Sequence, residues 1–375
     1  MAAPTEAILG RGALNRALLA RQHLLARTRT SVPAMVEQLV GMQAQVPTSP
    51  YAGLWSRIEG FRPDDLAALL VDRSVVRMSL MRSTLHLVTA ADALALRPVV
   101  QPVLDRAWGG SAFARAVDGV DLAELRAVGR ELLAGSPMST SELATPLAER
   151  FPGRDPMSLA YTIRFLEPLV QVPPRGLWGR TGTARVTTIE EWLGQPVPTE
   201  GSLESFVLRY LAAFGPASVA DMRTWSWRTG LRSAFESLRP RLRAFRDERG
   251  RELFDLPDAP RPDPETPSPV RFLPEYDNLL IGHDDRSRVI ASEFRARNSD
   301  RAVEYRSFLV DGFVAGAWTF AAGRNGDPAI LTVSPFRDLT SAEESDVGEE
   351  AARLLRFLAA DAPARDVVFR TDAGS

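Results

Sequence analysis

The chain has 375 residues, 45% of them hydrophobic, with a net charge of −2 and no cysteine. That supplies packed cores for two or three structural units, and it excludes thiol catalysis, cysteine-ligated zinc and iron–sulfur clusters. All 45 basic residues are arginine, so no side-chain amine exists for Schiff-base chemistry, and a nucleic-acid surface must be a local patch on a near-neutral molecule. No apolar run is long enough to cross a bilayer, and the N-terminus, MAAPTEAILGRG, lacks the charged and apolar regions of a secretory signal. A cytoplasmic protein is expected.

In chain order, Leu14, Leu18, Leu19, His23 and Leu25 fall near one helical face. Ser31-Val32-Pro33 reads as an N-cap with proline in the first turn. It opens a helix through Met35, Val36, Leu39 and Val40 that runs toward Gly41-Met42-Gln43-Ala44-Gln45-Val46-Pro47. Further helices are predicted from Ser49-Pro50 and from Arg62-Pro63. Two strands follow, Val75 to Leu80 and Ser83 to Val88, with Met81 and Arg82 at the turn. A helix from Ala91 to Leu104 closes this block.

The outline then recurs. Helices are predicted at Asp121–Leu133, from Ser139 to Phe151 and at Pro156–Leu166, before a hairpin of Leu169–Val172 and Arg185–Thr188. The third instance is Leu203–Phe214, a short helix after Ser218, Leu231–Leu238, and a hairpin turning at Glu248-Arg249-Gly250. Helix, capped short helix, third helix and hairpin is the winged-helix plan. The pattern therefore predicts an α+β protein with three tandem winged-helix units: residues 1–112, 113–198 and 199–255. A linker over 256–270 carries six prolines between Leu256 and Pro269. Beyond it, 271–375 reads as a β-rich, barrel-like or sandwich domain. Its strands are Val270–Leu273, Asn278–Ile281, Tyr305–Val310, Gly312–Phe320, Ala329–Val333 and Val367–Arg370, with one helix, Ser341–Leu358. Glu343, Glu344, Asp346, Glu349 and Glu350 make that helix solvent-facing on one side.

Gln43 and Gln45 lie two apart across a small residue, and Pro47 ends any helix leading in. If the helix stops by Ala44, both amides face one side, as i and i+2 do in a strand. A carboxamide both accepts and donates, so such a pair suits holding a water. The same pair would also serve as a helix cap or meet solvent. Arginine clusters at Arg223, Arg228, Arg232, Arg239, Arg241, Arg243, Arg246, Arg249 and Arg251, on a candidate recognition helix and its wing. Arg73, Arg77 and Arg82 form a smaller group beside the first hairpin. Thr84 and His86 share a strand face, where they meet a ligand or bond locally. His23 reads as structural or exposed, and His283-Asp284-Asp285 as a polar turn rather than metal ligands. GxGxxG, P-loop and GxSxG signatures are absent, so nucleotide and acyl-transfer chemistry have no foothold.

Three segments of the first block, Gly41–Pro47, Gly53-Leu54-Trp55-Ser56-Arg57 and Met81–Val88, together resemble the AlkZ/YcaQ family of winged-helix DNA glycosylases. Phe272-Leu273-Pro274-Glu275-Tyr276-Asp277-Asn278 and Val310–Trp318 extend the resemblance over nearly the whole chain. It implies three winged helices in a C-shaped body with a β-domain, and a Gln-apolar-Gln catalytic motif matched by Gln43 and Gln45. It also implies N7-alkylated purines as substrates, including bulky adducts and, for some members, interstrand crosslinks. The Gln-apolar-Gln branch is associated with self-resistance in actinomycetes that make DNA-alkylating products. On this reading the enzyme is a monomer that needs no cofactor or metal and leaves an abasic site in double-stranded DNA. Arg77, Arg82, Thr84, His86, Arg243, Arg246 and Arg249 are its expected DNA contacts. The competing classes are a winged-helix transcription regulator without catalysis and a protein that binds the adduct without releasing the base.

Overall fold

The computed structural model describes residues 7–291, 294, 305–323 and 327–370. The chain opens with β1 (Ile8–Leu9), α1 (Arg11–Arg21), α2 (Val32–Gln38), β2 (Met42–Gln43), α3 (Ser49–Trp55), α4 (Pro63–Val71), β3 (Val75–Ser79), β4 (Leu85–Thr89) and α5 (Ala90–Gly109). Helix α1 stops short of the expected His23 and Leu25, because His23 takes a left-handed φ of 52°. Ser31 caps α2 through its hydroxyl, which accepts from Ala34 N.

The middle of the chain holds α6 (Ala112–Ala116), α7 (Leu122–Leu133), β5 (Met138–Ser139), α8 (Thr140–Arg150), α9 (Pro156–Leu166), β6 (Leu169–Val172), β7 (Arg185–Thr188) and α10 (Ile189–Leu193). Next come α11 (Leu203–Phe214), α12 (Val219–Ser226), α13 (Leu231–Leu238), β8 (Arg243–Asp247) and β9 (Glu252–Asp255). Reciprocal capping boxes, Ser139 with Glu142 and Ser218 with Asp221, fix where α8 and α12 begin.

The hairpins β3–β4 and β6–β7 are not separate. Arg77 pairs with Gln171 and Met78 with Val170, which joins them into one six-stranded sheet of order β2-β4-β3-β6-β7-β5. Strand parity then sorts side chains. Met42, Leu87 and Val75 face the core under α2, α3 and α4. Met78, Val76, Val88 and Val170 face a larger core shared with α5, α11, α12 and α13. Gln43 and His86 have the parity of Met78, so they lie on the second face. The third hairpin forms its own sheet, with β1 added in parallel through Ile8 and Arg246.

The C-terminal region contains β10 (Arg271–Leu273), α14 (Asn278–Ile281), β11 (Ser307–Val310), β12 (Phe313–Ala321), β13 (Ala329–Pro335), α15 (Ser341–Leu358) and β14 (Arg365–Phe369). Two expectations are corrected here. Asn278–Ile281 is a helical turn, not a strand, because the Asp277 carboxylate caps it by accepting from Leu279 N at 3.0 Å. The domain is also not barrel-like among the described residues. It is an open five-stranded sheet, β10-β11-β12-β13-β14, with α15 packing Val347, Ala351, Leu354 and Leu355 into its core.

Candidate active site

Helix α2 ends at Gln38, earlier than the sequence required, and Val40 (φ 55°) and Gly41 (φ 85°) turn the chain into β2. A left-handed φ is strained for a β-branched valine, so something must hold this turn. The Asn278 side chain does: its amide nitrogen donates to Leu39 O at 3.1 Å and to Gly41 O at 2.8 Å. A β-carbon on residue 41 would lie 2.6 Å from a Val88 methyl, so glycine is required there on two counts. Nearby, Arg57 forms a bidentate ion pair with Asp277 at 2.7 and 2.8 Å, both groups fully buried. Ser49 Oγ donates to Glu275. Sequence segments more than two hundred residues apart thus form one clamp around the glutamine strand.

The clamp leaves Gln43 and Gln45 in extended chain at the sheet edge, with Ala44 N donating to Leu85 O at 2.7 Å between them. Both amides converge on the segment 82–85. Gln43, 7% exposed, accepts at Oε1 from Arg82 Nη2 at 2.6 Å. The exposed Gln45 accepts at Oε1 from Leu85 N at 3.3 Å. One lone pair of each oxygen is spent, and one remains.

Arg82 sits at a left-handed φ of 56° in the β3–β4 turn. Its other terminal nitrogen donates to Trp225 O on α12, which ties the turn to the third helical group. Burial, then the nearby Arg286, pulls its pKa down to about 10, so it stays charged at neutral pH. His86 is the β-ladder partner of Gln43 and is 2% exposed. Its Nδ1 lies 2.9 Å from Thr84 O. A carbonyl only accepts, so Nδ1 carries the proton and Nε2 is an acceptor. Burial, then the charge of Arg82, holds the imidazole neutral with a pKa of about 3. Thr84 Oγ1 is turned inward, donating to Met81 O.

A family model described as "DNA glycosylase AlkZ-like" matches residues 36–357. The chain belongs to the AlkZ-like family of DNA glycosylases. The "Interstrand DNA cross-link repair glycosylase" of Streptomyces sahachiroi is 26% identical over 358 residues, covering 90% of this chain and 93% of that protein. The solved structure of Streptomyces sahachiroi DNA glycosylase AlkZ superposes with a TM-score of 0.75 at 23% identity, covering 97% of this chain and 100% of that one; it supports the fold. As an AlkZ-like protein the chain is a DNA glycosylase of repair, and the regulator reading is not favoured.

The remaining candidate residues of this AlkZ-like chain separate into two groups. Arg77 is 2% exposed and lies on the opposite sheet face from Gln43 and His86. It donates to Ala44 O at 2.8 Å, to Gln171 Oε1 and to Arg175 O. In this position it grips the peptide between the two glutamines. Burial, then Arg175, lowers its pKa to about 10. Arg243, Arg246 and Arg249 are exposed, on β8 and its turn. Arg243 stacks over Phe245 at 5.0 Å, Arg246 donates to Gly250 O, and Arg249 reaches Asp285 at 3.3 Å. No hydrogen bond joins them to the glutamine pair among the described residues. His283 is buried and bonded to Phe214 O at 2.9 Å, while Asp284 accepts from Thr224. A cavity of ≈ 250 Å³ lined by Trp178, Trp318, Phe320 and Pro274 sits beside α3, on the Met42 side of the strand. It is therefore not part of the Gln43 site. Asn278 and Trp225 are the site-building residues that sequence reasoning missed; only the motif around Asn278 signalled either.

Proposed function

We propose that this glycosylase hydrolyses the N-glycosidic bond of N7-alkylated purines in double-stranded DNA, bulky natural-product adducts among them, and leaves an abasic site. An N7-alkylpurine is cationic and departs neutral, so little acid assistance is needed. What remains is a placed water and dipoles that face an oxocarbenium-like centre. The observation that carries this reading is the convergence of the Gln43 and Gln45 amides at one sheet edge. The two do not act equivalently. Gln43 Oε1 is held by a cation, which drains its negative dipole, so Gln43 orients. Gln45 is exposed, with its NH₂ and second lone pair unspent among the described residues, and holds the water.

The absence of lysine supports hydrolysis without strand nicking. The helix–helix–helix–hairpin groups support three winged-helix units, over 1–112, 113–198 and 199–255, acting as a monomer in a C-shaped body. Arg243, Arg246 and Arg249 on the third hairpin supply phosphate contacts. The likeness to a crosslink-repair relative supports crosslinks among the substrates, and the proposal extends to a part in self-resistance, in the bacterial cytoplasm near the nucleoid. The test is release of N7-methylguanine from duplex DNA, followed by hot alkali. Breaks only in alkylated DNA support the reading. Tight binding without base release contradicts it, and so does borohydride trapping of a covalent adduct after the N-terminal amine is blocked.

A further inference from the structure

The hydrolysis leaves one proton unassigned. When water attacks C1′ of a cationic nucleoside, the C1′–N9 bond breaks with its electron pair on the departing purine, which becomes neutral. The new C1′–O bond leaves the oxygen with a proton it must lose. Neither glutamine takes a proton at neutral pH.

The sheet places a better acceptor beside them. His86 is the direct ladder partner of Gln43, on the same face of the sheet, where side chains approach to about 5 Å. Its Nδ1–H is committed to Thr84 O, so the ring cannot present the wrong tautomer. Its Nε2 accepts from no group among the described residues. Yet it is not among the partnerless atoms sealed away from solvent, which among the described residues are Arg21 Nε, Arg57 Nε, Arg77 Nε, Ser268 Oγ and His283 Nδ1. His283 makes the contrast: it is equally buried, but its free nitrogen is sealed and its other is bonded to Phe214 O.

We propose that His86 is a catalytic residue whose Nε2 accepts a hydrogen bond from the attacking water and then takes its proton. The proton passes on to bulk solvent as the abasic product leaves. Burial and the charge of Arg82 keep the ring neutral at neutral pH, and the protonated C1′–OH₂ adduct is acidic enough to give its proton to a weak base. This assignment rests on the hydrolytic reading above and replaces the DNA contact expected of His86.

The experiment compares His86→Phe, His86→Gln, Gln45→Ala and the unaltered enzyme in single-turnover release of N7-methylguanine. Affinity for the same duplex carrying an uncleavable 2′-fluoro analogue is measured alongside. His86→Phe keeps the ring volume without an acceptor and is expected to slow release about 30-fold or more, with affinity changed less than about threefold. His86→Gln returns an acceptor near the Nε2 position and is expected to recover most of that rate. A His86→Phe enzyme within about threefold of the parent rate overturns the proposal, as does a loss that lies in affinity. Loss in Gln45→Ala alone leaves the hydrolytic reading standing without His86, whereas no release by the unaltered enzyme removes that reading. Should His86→Phe not fold, ¹⁵N spectra of the unaltered protein decide. A pyrrolidine abasic-analogue duplex is expected to shift the His86 Nε2 resonance and leave that of His283 in place. An unmoved His86 resonance contradicts the proposal.

Discussion

The first and third hairpins carry similar arginines and use them oppositely. On β3–β4, Arg77 and Arg82 turn inward and spend their donors on Ala44 O, Gln171, Gln43 and Trp225 O. On β8–β9, Arg243, Arg246 and Arg249 are exposed; Arg243 and Arg246 contact Phe245 and Gly250 O within the hairpin, and Arg249 reaches Asp285. The difference follows from the sheets. The first hairpin is central in a six-stranded sheet covered on both faces, while the third has only two-residue β1 beside it. A buried guanidinium must find acceptors, so burial converts an arginine from a DNA contact into a brace. The comparison predicts that substitutions in the first hairpin act on stability and rate, and those in the third on affinity and salt dependence.

Arg77→Ala is the most damaging. It leaves Ala44 O and Gln171 Oε1 without their buried donor and should cost about 3 kcal/mol, read by denaturant unfolding. A loss below about 1 kcal/mol would put Arg77 back among the surface residues. Acid acts next. His86 and His283 are both held neutral by burial, His86 with a folded pKa of about 3 against 6.5. The unfolded chain therefore binds more protons below pH 6.5. Stability from these groups is present above 6.5 and lost as pH falls toward about 3, by at most about 1.4 kcal/mol per pH unit for each. Melting curves from pH 7.5 to 5 should show the decline, reduced in His86→Gln. A flat profile would mean that burial does not depress the two imidazoles.

Arg82→Ala frees Gln43 Oε1 and should slow base release roughly 10- to 100-fold, the rate equivalent of one charge-assisted hydrogen bond, with little change in DNA affinity. If affinity falls and the rate holds, Arg82 belongs with the third hairpin. The smallest effects are expected from Arg243→Ala, Arg246→Ala and Arg249→Ala. Each should weaken binding uniformly and lower the slope of log affinity against log salt by about one. An unchanged slope removes that hairpin from the interface.

Most helix starts were legible because capping is local: Ser31, Ser139 and Ser218 stand where α2, α8 and α12 begin, and the structure adds Glu142 and Asp221 as the reciprocal partners of the last two. The Asn278–Ile281 turn was not, since three consecutive apolar residues, Leu279 to Ile281, have no period to separate helix from strand. Nor was the early end of α2. Gly41 signals a left-handed turn, but Val40 does not, and its φ is maintained by Asn278 from far along the chain. The glutamines were legible as a motif. Their unequal environments were not, because Arg82 reaches Gln43 only once β3 and β4 have paired. Likewise the inward face of Arg77 depends on pairing with β6.

The central claim is that Gln43 and Gln45 together place the water that cleaves the glycosidic bond. Single-turnover release of N7-methylguanine from a duplex, at saturating enzyme, tests it with Gln43→Ala and Gln45→Ala. Each loss of a positioned polar group should cost about 100-fold, greater for Gln45, with DNA affinity near that of the parent. Release within a few-fold of the parent in both variants would contradict it.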